Sequence, residues 1–389
     1  MEIAFWLLIA LVFYTYLGYG LLLFILVRLK RLFGARPFAF DLDYEPEVTL
    51  VIPSYNERDI IAQKARNSLE LDYPRDKLRI IFITDGSTDG TPDALREIEG
   101  IEVLHENRRA GKSAAENRAM TFVKSPIVVF CDANTMLNRE SIRELVKHYS
   151  NPRVGGVSGE KRVMSKEADS ASAAGEGMYW KYESTLKKWD YELYTIVGAA
   201  GELVSFRSAL MTDLEEDTIL DDFMQSLRIC SKGYRFAYEP KAYAMETASQ
   251  DVKEELKRKV RIAAGGWQSM SRLTALLNPF RHFTLSFQYI SHRVLRWSVS
   301  AFALPIIFIL NVVLALQENI LYQSLLVLQI LFYSMGMLGW SLENRKIRVK
   351  VLFIPYYFII MNYAVFAGFF RWLSKGQKST WERAKRAEV

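Results

Sequence analysis

From residue 3 to residue 27 the chain carries no charged side chain. As a helix those 25 residues extend about 37 Å at roughly 1.5 Å per residue, enough to span a bilayer core of about 30 Å. A cleaved signal peptide has a basic start and a shorter apolar run. Here Glu2 leads, and Arg28, Lys30, Arg31 and Arg36 follow. The bases predict a signal anchor, with its N-terminus outside and the following chain in the cytoplasm.

Three more apolar runs occupy residues 297–316, 320–342 and 351–370. Buried core helices show polar breaks every few residues, which these runs nearly lack, so they read as membrane segments. The link 317–319 has no Lys or Arg and belongs outside. The link 343–350 holds Arg345, Lys346, Arg348 and Lys350 and belongs inside. Parity then conflicts with charge. If the last run crosses, the tail bearing Arg371, Lys375, Lys378, Arg383, Lys385 and Arg386 lies outside, against its bases. Pro355 and Asn362 suit a re-entrant or tilted path for that run. Residues 280–297 mix Phe, Leu, Tyr, Trp, Arg and His, as in a helix lying among lipid headgroups.

The stretch between is polar and alternates strand and helix signals. Residues 48–53 (VTLVIP) form a continuous apolar run, the mark of a buried parallel strand. Residues 58–71 read as a helix, 78–84 as a strand, 92–98 as a helix, 101–104 as a strand, 113–123 as a helix and 127–131 as a strand. This predicts an α/β doubly wound domain on a mostly parallel sheet. Residues 168–177 (ADSASAAGEG) read as a loop. Cys131 and Cys230 are too few for a disulfide framework, four histidines too scattered for a metal cluster, and a net charge of +6 too small to argue for nucleic acid.

Doubly wound sheets bind ligands beyond the C-terminal ends of their strands. Those ends carry Pro53-Ser54-Tyr55-Asn56-Glu57, then Asp85-Gly86-Ser87-Thr88-Asp89-Gly90, then Asp132-Ala133-Asn134. Each cluster alone also suits turns and N-caps. Together they place carboxylates and amides on one rim. No G-x-x-x-x-G-K-[ST] or G-x-G-x-x-G is present. A rim of carboxylates repels phosphate unless a divalent cation lies between. Asp132 and Asn134 offer hard oxygen ligands suited to Mg²⁺ or Mn²⁺. Lys112 opens the helix after the third strand, where its charge can meet the same phosphates.

These motifs, in this order, resemble family 2 inverting glycosyltransferases. Gly111-Lys112 with Asn117, Asp221-Asp222, Gly233-Tyr234-Arg235 and Tyr238-Glu239-Pro240 extend the resemblance over residues 45–275. The flanking apolar runs suit the membrane-integrated members, such as cellulose, chitin, hyaluronan and poly-N-acetylglucosamine synthases. The resemblance implies a GT-A fold over 37–257, an N-terminal anchor over 1–36, interfacial helices over 258–296, transmembrane helices over 297–373 and a basic tail over 374–389. It implies a nucleotide-sugar donor, usually a UDP-sugar, in an enzyme of a prokaryotic-type plasma membrane with its catalytic domain in the cytoplasm. Pro53, Tyr55, Glu57 and Asp85 would hold base and ribose, Lys112 the diphosphate, and Asp132 the metal as first acid of the DxD motif. Asn134 stands where many members have a second Asp.

Asp222 would be the catalytic base, last residue of a motif that reads Leu220-Asp221-Asp222 here. Two adjacent carboxylates raise one another's pKa. The plainer reading is an acidic pair at a helix N-terminus. Processive members carry Gln-x-x-Arg-Trp; the matching stretch reads Arg258-Lys259-Val260-Arg261-Ile262. Arg261 keeps a cation for the leaving diphosphate. Ile262 cannot stack on a sugar; Trp267, five residues on, is the candidate substitute, though it lies at a different helical angle. Tyr179, Trp180, Tyr182 and Trp189 offer aromatic faces to an acceptor, and residues 158–161 and 198–202 would shape the sugar pocket. The acceptor reading is a growing polysaccharide. One alternative is single transfer to a lipid-linked acceptor. Another is an inactive membrane scaffold, which requires Asp132, Asp222 or Arg261 to be non-functional.

Overall fold

The computed structural model describes residues 1–34, 40–164, 171–247, 252–343, 345, 347 and 349–377, without the side chains of 164, 171–180, 247, 252 and 253. Helix α1 (Glu2–Leu32) is 31 residues long, with a π-helical turn at Tyr14–Gly18.

The first half of the polar region alternates as its periodicity predicts. Along the chain come β1 (Val48–Ser54), α2 (Arg58–Leu69), β2 (Leu78–Asp85), α3 (Thr91–Arg96), β3 (Glu102–Glu106), α4 (Lys112–Met120) and β4 (Ile127–Cys131). β1 is buried along its whole length and pairs in parallel with both β2 and β4. Leu50 and Ile52 enter the core on one face of the sheet and Val51 the core on the other. A strand covered on both faces has no use for polar alternation.

The second half continues with β5 (Thr135–Leu137), α5 (Ser141–Val146), β6 (Val154–Met164), α6 (Ala171–Leu193), β7 (Leu203–Arg207), α7 (Asp221–Ser231) and β8 (Arg235–Thr247). The eight strands form one sheet in the order β3-β2-β1-β4-β7-β6-β8-β5. β7 runs antiparallel to both β4 and β6, and β5 antiparallel to β8. The loop expected at 168–177 is corrected here. Residues 168–170 lie outside the described residues, and 171–177 form the first turns of α6. Ala171, Ala173 and Ala174 are strong helix formers, and they lead into a long helix that packs on α1.

That packing ties α1 to the α/β domain. A Cβ at Gly20 would lie 2.9 Å from Tyr182 Oη, so only glycine lets the two helices approach this closely. Tyr182 Oη donates to the Tyr16 carbonyl at 2.8 Å, and the Trp189 and Phe24 rings lie 5.3 Å apart. Lys30 Nζ donates to the carbonyls of Glu192 at 2.6 Å and Leu193 at 2.8 Å. A base thus meets the negative end of the α6 dipole.

Five helices follow: α8 (Val252–Arg272), α9 (Phe283–Trp297), α10 (Val299–Ala315), α11 (Ile320–Glu343) and α12 (Lys350–Leu373). Among the described residues α1, α11 and α12 are long and apolar enough to cross a membrane, and α9 with α10, bent by 53°, makes a fourth candidate. The polar side chains of α9 turn inward. Buried Asp190 accepts from Gln288 Nε2 at 3.0 Å, from His292 Nδ1 at 2.6 Å and from Tyr19 Oη. Pro355 and Asn362 do not interrupt α12. Asn362 accepts from Tyr16 Oη at 2.9 Å, so this helix leans on α1. It also runs beside α8: Lys259 Nζ lies 3.2 Å from Tyr357 Oη, and a Cβ at Gly368 would lie 2.5 Å from that of Ala263. In the basic links, Lys346, Arg348, Lys378, Arg383, Lys385 and Arg386 lie outside the described residues.

Candidate active site

Four elements meet beyond the end of β4. Asp132 follows that strand, Lys112 opens α4, Asp221 and Asp222 open α7, and Arg261 projects from α8. Lys112 Nζ lies 2.9 Å from Asp132 Oδ1, 3.3 Å from Asp221 Oδ2 and 3.8 Å from Glu116 Oε1. Gly201 closes over the group: a Cβ there would sit 3.3 Å from both the Asp222 carboxyl and Lys112 Nζ. Arg261 Nη2 donates to the Ile219 carbonyl at 3.4 Å, and its buried Nε has no hydrogen-bond partner among the described residues.

Glu116, Asp132, Asp221 and Asp222 surround Lys112, and Asp132, Asp221 and Asp222 also act on Arg261. The crowding shows in the titrations. Burial and the neighbouring Asp221 charge push Asp222 up to about 7. Burial also pushes up Asp132, and burial with the Asp221 charge raises Glu116 well above the usual range. Burial acts the same way on Asp221, but Lys112 and a hydrogen bond with Glu116 outweigh it and hold that carboxyl low. Burial works against charge on Lys112, yet the surrounding carboxylates raise its pKa well above the ordinary value.

Such a surplus of hard oxygen donors fits a divalent cation. Asp132 keeps one third of its side chain exposed, and Asn134 turns its amide toward Glu246 at 3.5 Å. Among the described residues no three His, Cys, Asp or Glu side chains gather as a metal cage. An ion held here would find only one or two protein ligands and would need substrate oxygens to complete its shell.

The residues expected for base and ribose lie at the ends of β1 and β2. Tyr55 carries the Arg109 guanidinium 3.7 Å above its ring. Pro53 stays within the sheet, paired with Ile83. Glu57 is buried, its amide donating to Thr91 Oγ1 at 3.0 Å. Asp85 is also buried and accepts from the amides of Ala110 at 3.0 Å and Gly111 at 2.7 Å, so it shapes the loop that delivers Lys112. Gly86, at φ +67°, lies under that loop, where a Cβ would approach Arg109 to 2.7 Å.

Of the aromatics expected for the acceptor, Trp267, Tyr182 and Trp189 face other helices. Trp267 stacks on Trp372 at 5.8 Å and touches Phe369 at 4.8 Å, facing the helical bundle. Tyr182 and Trp189 face α1. The side chains of Tyr179 and Trp180 lie outside the described residues. The two segments expected to shape the sugar pocket do meet: the Ala200 amide donates to Ser158 Oγ at 3.2 Å, and Lys161 pairs with Glu202 at 2.6 Å. Glu116 and Glu246, which lie against the expected residues, were not among those the sequence pointed to. Only Glu116 left a signal there, four residues after Lys112 on one helix face.

Residues 49–211 match the family model described as Glycosyl transferase family 2. Over that stretch the chain is similar to family 2 glycosyltransferases. The chain is 27% identical over 258 residues to a poly-beta-1,6-N-acetyl-D-glucosamine synthase of Staphylococcus aureus (strain MSSA476), covering 61% of this chain and 60% of that protein. It is 28% identical over 215 residues to a beta-monoglucosyldiacylglycerol synthase of Nostoc sp., covering 50% and 44%. The chain thus matches at most about 60% of the length of these relatives. A solved mannosyltransferase, PcManGT from Pyrobaculum calidifontis in complex with GDP-Man and Mn²⁺, is similar with a TM-score of 0.71 and 24% identity over 96% of this chain and all of that one. The mixed, mostly parallel sheet shares that neighbour's GT-A fold.

Proposed function

We propose that this glycosyltransferase takes a sugar from a nucleoside-diphosphate sugar, a UDP-sugar in the first instance, and transfers it with inversion at the cytoplasmic face of a prokaryotic-type membrane. One observation carries the reading: a single ammonium, Lys112, joins Asp132 to the Asp221-Asp222 pair. Asp132 and Asn134 would hold Mg²⁺ or Mn²⁺, which when bound neutralises diphosphate charge. Tyr55 with Arg109 above its ring offers the base a stacking face, beside Pro53 and Glu57. Asp222, poised near neutral pH, takes the proton of the acceptor hydroxyl. The acceptor oxygen bonds to the anomeric carbon as that carbon's bond to the diphosphate breaks. Lys112 and Arg261 meet the negative charge that departs. The lysine and arginine at the end of α1 touch α6, which supports a catalytic domain on the positive, cytoplasmic side.

Likeness to the Staphylococcus synthase favours a polysaccharide acceptor. The packing of Trp267, Tyr182 and Trp189 favours the second reading, one sugar added to a lipid-borne acceptor, because these aromatics are committed to helix contacts. Membranes carrying the protein, given a panel of UDP- and GDP-sugars, test both. The account expects nucleotide release that stops when divalent metal is chelated. A single glycolipid band supports single transfer, and a ladder or smear supports the polymer. No release from any donor, with or without Mn²⁺, contradicts the proposal and leaves the inactive-scaffold reading.

A further inference from the structure

Among the described residues, the transfer chemistry leaves one fully buried lysine unused. Lys64, on α2, is 0% exposed. Its Nζ donates to the Thr135 carbonyl at 2.7 Å and to Cys131 Sγ at 2.9 Å. No carboxylate is among its partners in the described residues. Burying an amine without an opposite charge is costly, and an apolar side chain of the same length would fill the space without that penalty. The donors on Nζ are therefore what needs explaining.

Both partners flank the residues assigned above to the metal. Cys131 precedes Asp132, and Thr135 follows Asn134. The turn is also closed on itself: Thr135 Oγ1 donates to the Asp132 carbonyl at 2.9 Å and lies 3.2 Å from Cys131 Sγ. One helical turn further along α2, Asn67 repeats the arrangement. Its Nδ2 donates to the Leu137 carbonyl at 2.9 Å, and its Oδ1 accepts from the Leu137 amide at 2.8 Å. The inner face of α2 thus grips the turn and β5 from beneath. A cation ligated by one or two protein oxygens depends on how firmly those oxygens are aimed.

We propose that Lys64 is a positioning residue for the turn at 131–135, fixing from inside the domain the direction in which Asp132 and Asn134 meet a cation-bridged diphosphate. The inference rests on the donor reading above. It concerns a residue that touches neither donor nor metal.

The test uses the full chain in lipid nanodiscs, with UDP present and free Mn²⁺ followed by electron paramagnetic resonance. Lys64→Met keeps the stem and removes the donors. Its apparent Mn²⁺ affinity is expected to fall about 10- to 100-fold, the usual effect of removing a residue that aims a ligand. The donor KM should rise with it, while the melting temperature without Mn²⁺ stays within a few degrees of wild type. Mn²⁺ affinity within about twofold of wild type, whether or not the melting temperature drops, gives Lys64 a packing role and overturns the proposal. If Lys64→Met does not fold, Lys64→Gln replaces it. That variant keeps a polar end but is too short to hold both the Thr135 carbonyl and Cys131 Sγ, so a loss of about tenfold is expected, and Mn²⁺ affinity within about twofold of wild type overturns the proposal. Wild-type protein that binds no Mn²⁺ with UDP brings down the donor reading itself, and that failure appears before any substitution is made.

Discussion

The half of the sheet from β1 to β4 and the half from β5 to β8 belong to one layer but follow different rules. In the first, parallel strands alternate with helices, and Tyr55, Glu57, Asp85, Lys112 and Asp132 sit at or just past a strand end or at a helix start. In the second, β7 is reversed between β4 and β6, and the site is completed by a helix start at Asp221, a glycine at 201 and an arginine on α8. On the proposed reading, the groups that would hold a nucleotide are local in sequence, those that would meet the acceptor come from distant pieces, and Trp267, Tyr182 and Trp189 are held in helix contacts.

The sharpest way to break this division is at its seam. Asp222→Asn should lower transfer by about 10² to 10⁴-fold, the usual share of a general base, with donor KM little changed. Loss of donor binding instead would move Asp222 to the nucleotide half. Arg261→Gln comes next, with an expected fall in kcat of about 10²-fold for loss of one charge facing the leaving group. A rise in KM alone would make it a ground-state contact. Gly201→Ala adds a methyl 3.3 Å from both Asp222 and Lys112. Transfer should fall roughly tenfold as those groups are pushed from their geometry, and steady-state rates at saturating donor measure it.

The pH dependence has a definite sign. Asp222 must be deprotonated to act, and its pKa stands at about 7 in the unliganded site. The kcat/KM profile should therefore rise with pH through about 7 and flatten above it, and Asp222→Asn should remove that limb. The smallest effect is expected at Trp267→Ala. The melting temperature should drop, because the stack with Trp372 is lost, while rate and product length stay within a few-fold of wild type. A large change in product length would return Trp267 to the acceptor path.

How much of this was legible follows from the same contrast. β1 and β4 announce themselves as continuous apolar runs because both faces are covered. β6 does not: Gly155 and Gly156 sit where a Cβ would strike Ile229 and Phe236, so its apolar signal is supplied by neighbours far along the chain. Asp132 and Lys112 could be read because they follow local strand and turn patterns. Glu246 could not, since nothing nearby distinguishes it from a surface acid. Trp267 lies about 140° round the helix from Ile262 at roughly 100° per residue, and that angle already pointed it away from the site. The start of α6 was missed because small residues serve loops and helices equally well until a packing partner decides between them.

The central claim is that the donor end and the base end are one machine joined through Lys112. A double-mutant cycle on nucleotide release, with Asp132→Asn, Asp222→Asn and both together, tests it most directly. Residues that act as a unit are strongly non-additive, so the double variant should fall little below the weaker single one. Losses that multiply in full would place the two carboxylates in separate sites and contradict the account.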